Sequence, residues 1–231
     1  MNYIPHLRRG MQGRFLRIAL ITAMLVLYIH QPLYYSVAGE PPRNEETAEA
    51  VNLSGIEKEV NPKLIESFRN HLPQFLPLLH KEIVTIIDFS LPSTARRLWT
   101  VNIRTGEVIF NTLVAHGKNT GDNLAQKFSN TPQSYQSSLG FYLTDQIYTG
   151  KHGQSLRLRG LEKNINDNAW ERAIVIHGAD YVSDSFIREN GRLGRSHGCP
   201  AIPNEITEEF ISTVKEGSLI FIYHPGYDKK S

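Results

Sequence analysis

The chain has 231 residues, 40% of them hydrophobic and 21% charged, with a formal net charge of +2. That length supports one full core with some sequence to spare, and the ordinary composition excludes a chain disordered throughout. Residues 1–38 hold Arg8, Arg9, Arg14 and Arg17 and no acid, so the remainder carries 21 basic against 23 acidic residues and has no global electrostatic reason to bind nucleic acid.

Taken in chain order, residues 1–38 read as a signal peptide or N-terminal anchor. A basic stretch through Arg17 precedes the apolar run from Ile18 to Ile29. Ser36-Val37-Ala38 then places small residues one and three positions before a cut at Gly39. The run is shorter than the roughly 18 residues that span a bilayer, but Leu33-Tyr34-Tyr35 extends it, so cleavage and anchoring both stay open. The expected localisation is exported, in the periplasm or cell envelope, with membrane contact only through this segment if it is retained. Residues 39–56, polar and proline-bearing from Gly39 to Glu46, predict a flexible linker.

Residues 57–80 predict a short helical segment that packs on the body. Asn61 caps it, Pro62 opens its first turn, and Leu64, Ile65, Phe68 and Leu72 follow at helical spacing, until Pro73 and Pro77 end it. The main domain is expected over 81–226, with a tail at 227–231. Strands are predicted at 83–89 and 97–103, the second forming a hairpin with 108–110 across Thr105-Gly106. A second hairpin joins 141–148 to 155–158. Arg172 to Ile176 reads as a short central strand covered on both faces. Ser183 caps a short helix stopped by Asn190-Gly191, Asn204 caps another running to about Lys215 before Gly217, and Leu219 to Tyr223 is the last strand. The fold class is α+β, mainly β: a mixed β-sheet or sandwich with a few short helices.

Cys199 is the only cysteine and lies in Ser196-His197-Gly198-Cys199. A lone cysteine is most often a small buried hydrophobe. In an exported chain, flanked by glycines and histidines, it reads better as a nucleophile. Pro200 and Pro203 oppose a helix starting at Cys199, so thiolate character must come from a base or cation rather than a helix N-terminus. Two histidines compete for that role. His197 projects to the same face as Cys199 in an extended chain, whereas His177 stands at the end of a buried strand, a rigid platform. With no N–H at Pro200, oxyanion donors fall to Gly198, Cys199 or a facing loop. His116, His152, His177, His197 and Cys199 include no Cys-x-x-Cys or His-Glu-x-x-His spacing, so no metal site is expected.

Ile176-His177-Gly178-Ala179-Asp180-Tyr181, followed by Gly194-Arg195-Ser196-His197-Gly198-Cys199-Pro200-Ala201, resembles the L,D-transpeptidase (YkuD-type) family, in particular its murein L,D-transpeptidase catalytic-domain-like branch. The resemblance covers roughly residues 82–224. It implies an L,D-transpeptidase-like domain acting on peptidoglycan stem peptides without a cofactor. Cys199 would be the nucleophile, His177 the general base, His197 an accessory group, Ser196 a loop hydrogen-bonding residue and Gly198 an oxyanion amide. It also implies acylation of Cys199 by carbapenems. Two features depart from the family pattern: eighteen residues separate His177 from Ser196, and Ala201 stands where Arg or Asn is common. Arg192 and Arg195 are therefore expected to take over substrate carboxylate contacts, with Gly178 and Tyr181 beside them. The alternatives are an L,D-carboxypeptidase or endopeptidase that passes the same thioester to water, and a non-catalytic module that binds wall peptides.

Overall fold

Continuous apolar runs, alternating segments and glycine-punctuated turns resolve into eight strands and three α-helices in the computed structural model, which describes residues 51–150 and 153–229. The expected signal or anchor and residues 39–50 of the expected linker lie outside the described residues. Among the described residues no helix is long and apolar enough to cross a membrane. In chain order the elements are α1 (Pro62–His71), β1 (Ile83–Asp88), β2 (Leu98–Asn102), β3 (Val108–Thr112), β4 (Gly140–Gly150), β5 (Gly153–Gly160), β6 (Val175–Gly178), α2 (Asp184–Asn190), β7 (Ala201–Ile202), α3 (Thr207–Val214) and β8 (Leu219–Tyr223).

The strands form one mixed sheet in the order β3-β2-β1-β8-β4-β5-β6-β7. Both predicted hairpins form as antiparallel pairs, β2 with β3 and β4 with β5. The β1–β8 and β6–β7 contacts are parallel. All five residues of β8 are buried, which its unbroken apolar sequence Leu-Ile-Phe-Ile-Tyr requires of a strand covered on both faces. Only three residues past the end of β3, Ala115 bridges Ala201 of β7, at the opposite end of the sheet. A chain this short cannot stretch far, so the sheet folds back until its two edges meet.

Helix α1 begins as the sequence implies: the Asn61 side chain accepts from the Lys63 N–H, and Pro62 occupies the first position. Its buried Phe68 packs on the cross-strand pair Phe141–Phe221, with ring centroids 5.7 Å from each. Helix α2 has its Ser183 cap and its left-handed stop at Gly191 (φ 70°), where glycine avoids a Cβ clash.

Four expectations need correction. Val51, Leu53 and Ile56 are buried in the core, so the end of the expected linker belongs to the body. Tyr227, placed in the expected tail, is fully buried and donates to Glu162 Oε1 at 2.6 Å. Asn204 does not cap α3, because it opens a 3-10 turn (Asn204–Ile206) ahead of the helix, and its Nδ2 donates to Asp180 Oδ1. The segment read as a central strand starts only at Val175, since Ala173 turns to φ 53° and its N–H bonds Trp170 O. That strand, β6, is buried throughout but lies next to the sheet edge.

Replacing Phe68 with Ala removes the ring that joins α1 to the sheet. Loss of about 3–5 kcal/mol of unfolding free energy is expected, measured by urea denaturation, with the urea dependence unchanged.

Candidate active site

The parallel ladder between β6 and β7 pairs His177 with Ala201, two residues beyond Cys199. Paired residues of a ladder share a face, so His177 and Ala201 project to the same side of the sheet, and Cys199 lies in the bend that leads into β7. His177 is 4% exposed, and its Nδ1 lies 2.9 Å from Gly178 O. A carbonyl can only accept, so Nδ1 carries the proton and Nε2 holds the basic lone pair.

The loop before β7 is tied down on every side. Ser196 N–H donates to His116 O (3.0 Å), and Lys118 N–H donates to Ser196 O (2.8 Å). The Ser196 hydroxyl donates to Cys199 O at 2.6 Å and accepts the Gly198 N–H at 3.0 Å. From the facing loop, Ser137 Oγ donates to Gly198 O at 3.1 Å and accepts the Gly117 N–H at 3.0 Å. Gly198 has φ +124°, and a Cβ there would stand 2.8 Å from Gln136 O, so both conformation and space require glycine. The Gly198 amide is thus committed to Ser196, which opposes its expected role as an oxyanion donor. The same bend removes the extended path that would have set His197 beside Cys199. His197 instead lies exposed on the outer wall, its ring 4.7 Å from that of Tyr135.

The Cys199 thiol, partly exposed, points toward Ala173 O at 3.8 Å. Beside it lies Arg172, which the sequence reading placed in a strand and gave no role. Its guanidinium donates to Ser129 O (2.7 Å), Ser138 Oγ (3.1 Å), Ser134 Oγ (3.4 Å) and Gln136 O. Burial lowers the Arg172 pKa, while negative charge at Tyr142 and Cys199 opposes the shift. Burial also pushes the Tyr181 hydroxyl up to about 12, and charge at Cys199 adds to that rise. Arg172 and Tyr181 therefore both stand close enough to feel the ionisation of the thiol. Tyr181 lies over Gly194, where a Cβ would fall 2.3 Å from its own Cβ. The only trace of Arg172 in the sequence was an arginine opening an apolar run.

Three of the expected substrate contacts have partners within the protein. Arg195 is engaged by Asp122 and by Gly121 O at 3.3 Å. Arg192 donates to Leu193 O at 2.7 Å. Gly178 faces away from His177, as neighbours along a strand must, and packs under Asn204 and Thr207 at an open cleft of about 450 Å³.

With that geometry described, the family model for the L,D-transpeptidase catalytic domain matches residues 77–223, more than half of the chain. The chain belongs to the L,D-transpeptidase catalytic-domain family. Among solved structures, an L,D-transpeptidase from Mycobacterium smegmatis is similar at 13% identity and TM-score 0.39, over 62% of this chain and 59% of that one. L,D-transpeptidase 3 from Mycobacterium tuberculosis aligns at 12% identity and TM-score 0.40, over 62% and 61%. The helical cell shape determining protein Pgp2 from Campylobacter jejuni aligns at 14% identity and TM-score 0.43, over 63% and 48%. The chain thus spans about half to three fifths of the length of these neighbours. No curated protein matches.

Beneath the loop, buried His116 accepts from Arg97 Nη2 through Nδ1 (2.8 Å) and donates through Nε2 to Gly121 O (3.2 Å). Burial first, then the Arg97 charge, lowers its pKa from 6.5 to about 4. Below pH 6.5 the unfolded chain takes up a proton that the folded chain refuses, so stability falls as pH drops from about 6.5 toward 4. The His116 contribution to that loss is roughly 3 kcal/mol. Urea denaturation across this range should show the slope, and His116→Gln should flatten it relative to the native chain.

Proposed function

We propose that this domain is a cysteine L,D-transpeptidase that acts on peptidoglycan stem peptides through a thioester at Cys199. The observation that carries the reading is the pairing of His177 with Ala201, together with the Nδ1–H···O=C bond that leaves Nε2 as the base. In the first half-reaction the Cys199 S–H proton passes to His177 Nε2 and the sulfur attacks the carbonyl carbon of an L-residue followed by a D-residue. The C–N bond breaks, His177 returns the proton to the departing amine, and the acyl group remains on sulfur. In the second, an amine of another stem peptide attacks the thioester, His177 takes its proton, and the thiol is restored with a new cross-link formed. Arg172 supplies the positive charge that favours thiolate, a role no helix N-terminus fills here, because Cys199-Pro200 leads into strand β7. Since the Gly198 amide is held by Ser196, the oxyanion is assigned to the Cys199 amide or the facing loop. We place the enzyme outside the cytoplasm, on the strength of the basic and apolar segment over 1–38.

Intact-mass measurement after exposure to a carbapenem should add one drug mass to the native chain and none to Cys199→Ala. No adduct on the native chain, or equal adducts on both, would overturn the assignment of the nucleophile. With a muropeptide donor and an amine acceptor, dimers are expected; trimmed monomer alone would favour the hydrolytic alternative.

His177→Ala should slow acylation by about 10²–10⁴-fold, the range of general-base catalysis, whereas His197→Ala should cost much less, because its exposed ring packs against Tyr135. The check is single-turnover acylation followed by mass. Reversed losses would exchange the two roles.

A further inference from the structure

Strand register carries the His177 face of the sheet outward onto the β4–β5 hairpin. Tyr148 pairs with Ser155, and Ser155 pairs with His177, so the three lie in one cross-strand row. The next row on the same face, about 7 Å along the strands, holds Val175 and Arg157. The row after that holds Arg159 opposite Leu143. Leu156 and Leu158, between these positions, point the other way into the core.

Two aromatic rings grip the middle of this strip. The Arg157 guanidinium carbon lies 4.8 Å from the Trp170 ring centroid and 5.3 Å from that of Tyr148. Both rings are exposed, Trp170 at 47% and Tyr148 at 37%, although large aromatics are usually buried. Arg159 also touches Trp170, at 5.4 Å, but its charge is taken up by Asp145 Oδ2 at 2.7 Å. Arg157 forms no salt bridge and donates no side-chain hydrogen bond among the described residues, although its charge lies near enough to Asp145 to help lower that carboxylate's pKa. Stacking against a ring fixes the guanidinium plane yet leaves its in-plane N–H fork open, the arrangement suited to a carboxylate. The turn that carries Trp170 runs on through Arg172 to Ala173, whose carbonyl lies 3.8 Å from the thiol.

We propose that Arg157, held by Trp170 and Tyr148, binds a carboxylate of the stem peptide that reacts at Cys199 and so determines substrate specificity. This rests on the acyl-transfer reading above. It replaces the expected contacts from Arg192 and Arg195, which are engaged within the protein. A neutral peptide of the same length lacks the partner for this fork and is discriminated against.

The test is calorimetric titration of the full chain carrying Cys199→Ala, so that binding is read without chemistry. The probes are a stem tetrapeptide with free carboxylates and the same peptide with every carboxylate amidated. With Arg157 present, the acid should bind about tenfold more tightly than the amide, the value of one charge-assisted bidentate contact. Adding Arg157→Ala should abolish that preference and leave the amide's affinity as it was, which also reports that the variant is folded. Arg157→Lys should recover only part, because a point charge lacks the fork. Equal affinity for acid and amide, or an acid affinity untouched by Arg157→Ala, overturns the proposal while leaving acyl transfer standing. Absence of binding by either peptide also overturns it, and muropeptide coupling by the native chain then decides the acyl-transfer reading separately.

Discussion

Arg97 is fully buried, and its guanidinium joins parts of the chain that otherwise meet only at the sheet's edges. Nε and Nη2 donate to Val114 O (3.1 and 2.9 Å), Nη1 to Leu91 O (2.7 Å) and Nη2 also to His116 Nδ1 (2.8 Å), while the group lies 4.7 Å from the Phe89 ring centroid. Val114 to Lys118 is the same segment whose backbone holds Ala201 and Ser196. Position and register of the Ser196–Cys199 loop therefore depend on a cation in the interior. Such burial is costly, and it lowers the Arg97 pKa to about 9 despite the opposing pull of Asp88. Arg97 still carries its charge at neutral pH. A neutral replacement would leave the Val114 and Leu91 carbonyls and a buried imidazole short of their donor, which costs more than the lost bonds themselves are worth.

That arrangement explains why His116 stays out of the chemistry although it is a histidine beneath a thiol loop. With Nδ1 accepting from a guanidinium and Nε2 donating to a carbonyl, the ring is locked neutral by its neighbours. His177 is set differently: its Nδ1 donates to Gly178 O, which leaves the lone pair on Nε2. Two buried imidazoles in one domain thus differ in tautomer, Nδ1 accepting from a cation in one case and donating to a carbonyl in the other.

Elements specified by local signals were legible in the sequence. Asn61-Pro62 at α1, Ser183 and Gly191 around α2, and the unbroken run of β8 each carry their own instruction in a few neighbouring residues. Val51, Leu53, Ile56 and Tyr227 were not legible, because single apolar residues among polar ones say nothing about a distant core. Asn204 had the right chemistry for a cap, but it opens a 3-10 turn ahead of α3, and its amide N–H donates to Asp180, distant in sequence. In the site, Cys199, His177 and Gly198 stand in a recognisable motif. Arg172 and Arg157 do not, since each gains its position from a turn or a strand register that only the folded sheet supplies.

Arg172 also accounts for the strained backbone around the thiol. Its donors reach Ser129, Ser134, Gln136 and Ser138, so one side chain binds the loop facing Gly198 to the turn carrying Ala173. Within that frame Gly198 (φ +124°) and Ala173 (φ +53°) adopt conformations that cost energy for most residues. Relaxing Ala173 would swing its carbonyl away from Cys199, and relaxing Gly198 would break the Ser196 hydroxyl bridge across the loop. The same guanidinium that feels the charge of the thiol therefore also resists both relaxations. Charge and geometry at Cys199 cannot be adjusted separately, and a substitution at Arg172 must disturb the two together.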